Sequence, residues 1–179
     1  MILVGIITLV VVLIIVFIIL FIGKNKTIKN YLYKINIGET EIINDLKIKL
    51  NIISKICNIQ IEVTKIESNL FTKIKSEKED DIKSFACVTE LEDTYKEILS
   101  IDEDYQIVLK NNEEYKKLLI ELDEVNTKLT CLGTFYNKYA NEYNKNINDF
   151  IGKFVKKKYK YEIKKLYLGN TLDEEVSLN

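Results

Sequence analysis

Asp102, Glu103 and Asp104 stand side by side, within a stretch from Glu77 to Asp104 that holds eleven carboxylates against three lysines. Paired carboxylates can divide general-acid and general-base work in a hydrolysis, provided an apolar surround lifts one pKa. No apolar pocket is legible around this trio, so a solvated acidic face is the simpler reading. Lys153, Lys156, Lys157, Lys158, Lys160, Lys164 and Lys165 form the opposite concentration, interrupted by one acid, Glu162, and interleaved with Phe154, Tyr159, Tyr161 and Tyr167. Such a segment suits an anionic lipid surface or a nucleic-acid backbone. It would equally complement the negative end of a long helix and the acidic stretch upstream. Cys57, Cys87 and Cys131 are an odd set, widely spaced, as expected of reduced thiols in a helical core rather than of disulfides. The chain has no His, which excludes metal sites built on imidazole, and its six scattered glycines form no phosphate-cradling loop. No Ser or Cys has a histidine base. The raw material for an enzyme is missing, and no catalytic residue, cofactor, metal or small-molecule substrate is expected.

The elements that position these groups are helices. Pro is absent, so long helices can run without interruption. The 26 basic residues nearly balance 27 acidic ones, and no global field argues for nucleic acid as a partner. From Ile2 to Ile22 there is no ionisable side chain, and 21 helical residues span roughly 31 Å, the thickness of a hydrocarbon core. A positively charged leading region and a small-residue cleavage pattern are both missing, which favours an uncleaved anchor over a signal peptide. Lys24, Lys26, Lys29 and Lys34 follow this segment directly, so the positive-inside rule predicts a single-pass protein of the cell membrane with the remainder in the cytoplasm.

Beyond the anchor, apolar residues step by three or four. One stripe is Ile43, Leu46, Leu50, Ile53, Ile56, Ile59, Val63, Ile66, Leu70 and Ile74, and a second is Ile82, Phe85, Val88, Leu91, Tyr95 and Ile98. The polar run Ser76 to Asp81 separates them, and Ser100 to Tyr105 reads as the next loop. A third stripe runs through Tyr115, Leu118, Leu122, Val125, Leu129, Leu132, Tyr136, Tyr139, Tyr143, Ile147, Phe150 and Phe154. Beside it lies a row of Asn137, Asn141, Asn144 and Asn148, so two Tyr-Asn doublets are two helical stripes in register. A tyrosine can bury its ring while its hydroxyl finds a partner, and an asparagine beside a seam can bond across and set register.

LKNNEEYKKLLIEL, Leu109 to Leu122, followed by FYNKYANEYNKNINDF, Phe135 to Phe150, resembles the carboxy-terminal signature of the LemA family. Leu109, Lys110, Asn112, Tyr115, Leu122, Tyr136, Asn137, Tyr143, Asn144, Ile147 and Phe150 occupy its motif positions. Upstream, Leu46-Lys47 and Asn51-Ile52-Ile53 sit where that family has Leu-Lys-Arg-Arg-x-Asp-Leu-Ile-Pro, Glu67 falls near its His-Glu pair, and Val176-Ser177-Leu178 is similar to its ending. The departures are Ile48 and Lys49 for paired arginines, Ser54 for a proline, Ile66 for the histidine, Gly133 for an arginine and Ile151 for a proline. Lysine is a point donor and Ile48 donates nothing, so if the family's paired arginines grip an acidic or phosphorylated partner by bidentate hydrogen bonds, this chain cannot do so in the same way. The resemblance implies a bacterial, membrane-anchored helical bundle without assigned chemistry.

The expected architecture is all-α: a transmembrane anchor over 1–23, a juxtamembrane segment over 24–38, an elongated antiparallel bundle of three or four helices with coiled-coil seams over 39–168, residues 155–168 contributing to it, and a tail over 169–179. The favoured function is a non-enzymatic, membrane-tethered scaffold that docks a protein partner or self-associates. The alternative is an anionic lipid or nucleic-acid contact module acting through residues 153–167. An enzyme resting on Asp102, Glu103 and Asp104 is the third.

Overall fold

A computed structural model describes residues 2–65 and 88–169, with the backbone alone at Ile2, Thr89, Glu90, Asp102, Asp104 and Gln106. Helix takes up 89% of the described residues and no strand occurs among them. The elements are α1 (Ile2–Thr64), α2 (Val88–Asp104), the single turn α3 (Gln106–Leu109), α4 (Glu113–Asn148) and α5 (Phe150–Tyr159). The chain divides into two compact units, Met1–Ile37 with Tyr136–Leu166 and Gly38–Phe135 with Tyr167–Asn179.

The first unit begins with the apolar part of α1, whose large side chains are exposed on all sides: Leu3 is 71% and Ile22 63% exposed. This helix is long and apolar enough to cross a membrane. From Ile28 the same helix becomes one-sided, burying Ile28 and Ile35 in a core with Tyr136, Ala140, Tyr143, Ile147 and Val155. Lys24 Nζ donates to Asn146 Oδ1 at 2.7 Å and Lys34 Nζ to the Tyr139 hydroxyl at 3.3 Å. Residue numbers rise on α1 as they fall on α4, so the two helices are antiparallel here.

In the second unit, α1 buries Ile42, Leu46, Leu50, Ile53, Ile56 and Cys57 against Leu91 and Ile98 of α2 and Tyr115, Leu118, Leu122 and Leu129 of α4. Lys128 Nζ donates to Asp45 Oδ1 at 2.7 Å, and Gln60 Nε2 donates to the Tyr115 hydroxyl at 2.9 Å, so α1 and α4 are again antiparallel. α2 advances with α1: Lys49 Nζ reaches Glu92 at 2.5 Å, and Gln60 Nε2 donates to the Ile98 carbonyl at 3.2 Å. Steps of three and four along Ile42, Leu46, Lys49, Ile53, Ile56 and Gln60 make a heptad seam with two polar members, both wholly buried.

Four expectations are corrected. Residues 100–104 belong to helix α2 instead of a loop, because acidic residues do not by themselves break the hydrogen-bond ladder. The reversal falls at Lys110–Asn112, where Asn112 Oδ1 accepts the Tyr115 N–H at 2.9 Å and caps α4. Ile42 is fully buried, while Ile43 is only half-buried. Cys57 is buried as expected, whereas Cys131 is exposed. The expected linker at 76–81, the stripe positions Ile66, Leu70, Ile74, Ile82 and Phe85, and Glu67, Cys87 and Val176-Ser177-Leu178 lie outside the described residues.

The Lys49 ammonium has 0% side-chain exposure and relies on Glu92 and on the Tyr95 ring, 5.6 Å from its centroid. Glu92→Gln is expected to lower unfolding free energy by about 1–3 kcal/mol, since it leaves a buried cation without its counter-charge. Adding Lys49→Met should recover most of that loss in urea melts of the full chain. A double variant no more stable than Glu92→Gln would show that the ion pair is not what Glu92 contributes.

Candidate functional site

The residues singled out by the sequence from Tyr136 to Lys165 gather in the first unit, where α4 ends. Tyr136, Tyr143 and Ile147 sit in the buried seam, and Asn137 is buried beside them. The helix then stops at Asn148. Asp149 is extended (φ −71°, ψ 174°), and its Oδ1 accepts the Gly152 N–H at 2.7 Å, capping α5. Glycine is required at 152, because a Cβ there would fall inside the Asn146 carbonyl oxygen. The seam therefore does not run on to Phe150 and Phe154 as expected. The cap turns both rings out, leaving them 74% and 49% exposed.

The C-terminal part of the basic segment is not a helix covering a groove. α5 ends at Tyr159, and Lys160 adopts the left-handed conformation (φ 55°, ψ 40°). Residues 161–168 carry no regular structure and return along α4. Asn144 grips this return from both sides: its Nδ2 donates to the Lys164 carbonyl at 2.8 Å, and its Oδ1 accepts the Lys164 N–H at 2.9 Å. The Tyr136 hydroxyl donates to the Lys165 carbonyl at 2.8 Å. One member of each Tyr-Asn doublet thus holds backbone of the C-terminal segment, not a neighbouring helix. Tyr161 packs edge-on to Tyr143, with centroids 6.3 Å apart, and its hydroxyl donates to Asn25 Oδ1 at 3.0 Å. Burial, then the neighbouring Tyr161 and Glu162, push the Tyr143 hydroxyl pKa up.

The lysines do not converge on one point. Lys153, Lys157, Lys158, Lys160 and Lys165 are exposed, and Lys156 and Lys164 are half-buried. Lys156 Nζ donates to Asn148 Oδ1 at 3.3 Å, and Lys158 Nζ lies 5.2 Å from the centroid of Phe21. At the break between α4 and α5, Lys24 pairs with Asp149. Burial pulls the Asp149 pKa up, but hydrogen bonds from Lys24 and the Gly152 N–H, with the Lys24 charge, outweigh it and hold the carboxyl below its usual range. The remaining motif positions belong to the second unit: Leu109 is buried, Lys110 exposed, Asn112 caps α4, and Tyr115 accepts from Gln60. The acidic trio lies on α2, with Glu103 exposed; the side chains of Asp102 and Asp104 lie outside the described residues.

Sequence reasoning missed the buried polar residues of α1. Asp45 is 2% exposed; its Oδ1 accepts from Lys128 Nζ while its Oδ2 has no hydrogen-bond partner among the described residues, and Lys49 and Gln60 are wholly buried. Their signal was the seam register itself, in which 49 and 60 fall on heptad positions.

An all-helical bundle that carries a helix of membrane-crossing length, and whose motif residues hold its own backbone, defines the class of this molecule. The chain belongs to the LemA family, whose model matches residues 39–177. No curated protein and no solved structure shows a significant match.

Two outcomes check this geometry. Asn144→Ala removes both bonds to Lys164 and is expected to speed tryptic cleavage after Lys164 or Lys165 by about tenfold, the equivalent of roughly 1.4 kcal/mol of local opening. Cleavage at the unaltered rate would mean that the return is held elsewhere. Asp149→Asn keeps a capping oxygen but loses the ion pair. Because the folded pKa is depressed, its contribution is present above the unfolded value of about 4 and is lost as pH falls through the folded pKa. Wild type should exceed the variant in thermal stability at pH 7, by under about 1 kcal/mol at so exposed a pair, and the two melts should converge in acid.

Proposed function

We propose that this chain is a non-enzymatic, membrane-anchored scaffold of the LemA type, held in the cell membrane by residues 2–22 with its helical units on the cytoplasmic side. The observation that carries this reading is the composition of α1. Its first third is apolar all round and exposed, while its later part is apolar on one face and buried in bundle cores. A helix apolar on every side is covered by lipid or by protein, and a stretch of this length fits a bilayer. Lys24, Lys26, Lys29 and Lys34 supply the orientation. Docking of a protein partner or of a second copy is supported by the surface of the second unit. There Lys47, Ile48, Asn51, Ile52, Lys55 and Glu121 line an open groove of about 330 Å3, with Ile48 49% exposed. A second reading, contact with anionic lipid through residues 153–167, is favoured over nucleic acid by the exposed aromatic rings among those lysines.

Cys131, exposed on α4, gives the test. A membrane-impermeant thiol reagent carrying a photocrosslinker, applied to a variant that keeps Cys131 alone, is expected to label it only after the cells are opened. Irradiation should then yield one discrete adduct. Labelling in intact cells would overturn the orientation, and a smear of unrelated membrane neighbours would count against a scaffold.

A further inference from the structure

The exposed rings of α5 are placed where the anchor ends. Phe154 packs edge-on against Phe17, with centroids 5.5 Å apart and planes at 89°, and Phe150 packs against Phe154 at 5.5 Å. Tyr159 stacks on Phe21 at 6.2 Å. Phe17 lies five residues inside Ile22, the last residue of the apolar run, which is roughly 7–8 Å along a helix. Helices that lie in a membrane surface bury their apolar side about 5–10 Å below the headgroup boundary, a distance comparable to that of Phe17, which Phe154 touches, from the end of the apolar run. The buried side of α5 is Gly152 and Val155, so Phe150 and Phe154 face outward instead of completing the bundle core. The lysines are arranged as such a position requires. Lys153, Lys157 and Lys158 are exposed around the rings, within reach of lipid phosphates, and their stems can lie along apolar surface. At the break itself the Asp149 carboxylate is paired with Lys24. An open groove of about 570 Å3 joins Ile19, Leu20 and Gly23 of α1 to Phe150 and Ile151 of α5, with Lys24, Thr27 and Asp149 completing its lining, so apolar surface of the anchor leads onto α5.

We propose that α5 is an in-plane membrane helix: Phe150 and Phe154 enter the acyl layer of the bilayer that α1 crosses, while the lysines around them hold its anionic headgroups. This deepens the lipid-contact reading and rests on the anchor assigned to residues 2–22. The occupant of the exposed face is lipid and not a second copy of the chain, because the face is continuous with the apolar anchor and is ringed by cations.

The absence of Trp makes the test direct. Single-tryptophan variants Phe150→Trp, Phe154→Trp, Val10→Trp and Phe135→Trp of the full chain would be reconstituted in phosphatidylcholine–phosphatidylglycerol vesicles whose acyl chains carry bromine. Fluorescence of Phe150→Trp and Phe154→Trp is expected to be quenched nearly as strongly as that of Val10→Trp, and Phe135→Trp hardly at all. Since Phe150 is mostly exposed, that variant keeps the test open should Phe154→Trp misfold. Strong quenching at Val10→Trp with none at Phe150→Trp would overturn the in-plane helix alone. A blue-shifted but unquenched tryptophan at 150 would put protein over the face and overturn it equally. Absence of quenching at Val10→Trp would sink the anchor and this proposal together.

Discussion

A single hydrogen-bond ladder runs through α1 from Ile2 to Thr64, and every other feature has to accommodate it. Without proline, nothing interrupts the ladder where the surroundings of α1 change. The side chains change instead. Up to Ile22 they are apolar around the whole circumference; from Ile28 they are apolar along a stripe that α4 covers in the first unit and α2 with α4 in the second. Burial along such seams supplies most of the stability of paired helices, and the intrinsic propensities of Asn- and Tyr-rich α4 supply little.

Within those seams the polar residues carry information that apolar ones cannot. A stripe of Ile and Leu can slide by a heptad at modest cost, but Lys49 must find Glu92 and Gln60 must find Tyr115, so a displaced register would strand buried charge and amide groups. The first unit uses the same device with a different partner, since Asn144 and Tyr136 satisfy main-chain groups of residues 164 and 165.

Much of the fold was legible because burial of a helical face leaves a period. The stripes of α1 and α4 follow their spacing, and the Tyr-Asn doublets do lie where two stripes meet. The misreadings have local causes. Phe150 and Phe154 kept the apolar period, but Asp149 capped a new helix and rotated them off the seam. Ser100 to Tyr105 looked polar enough for a loop, yet charged residues alone do not end a helix, and α4 begins only at the cap formed by Asn112. Lys49 and Gln60 were hidden because a periodicity search scores polar residues as gaps. The return over 161–168 was illegible, since its order comes from Asn144, some twenty residues away.

The grip of Asn144 on Lys164 has a consequence for how the C-terminal segment can vary. A side-chain amide that engages an N–H and a C=O of one residue reads main chain alone, much as a neighbouring strand would. The side chain that this contact reads is therefore the one at position 144, while at 164 it requires only a backbone N–H and C=O, which every residue except proline supplies.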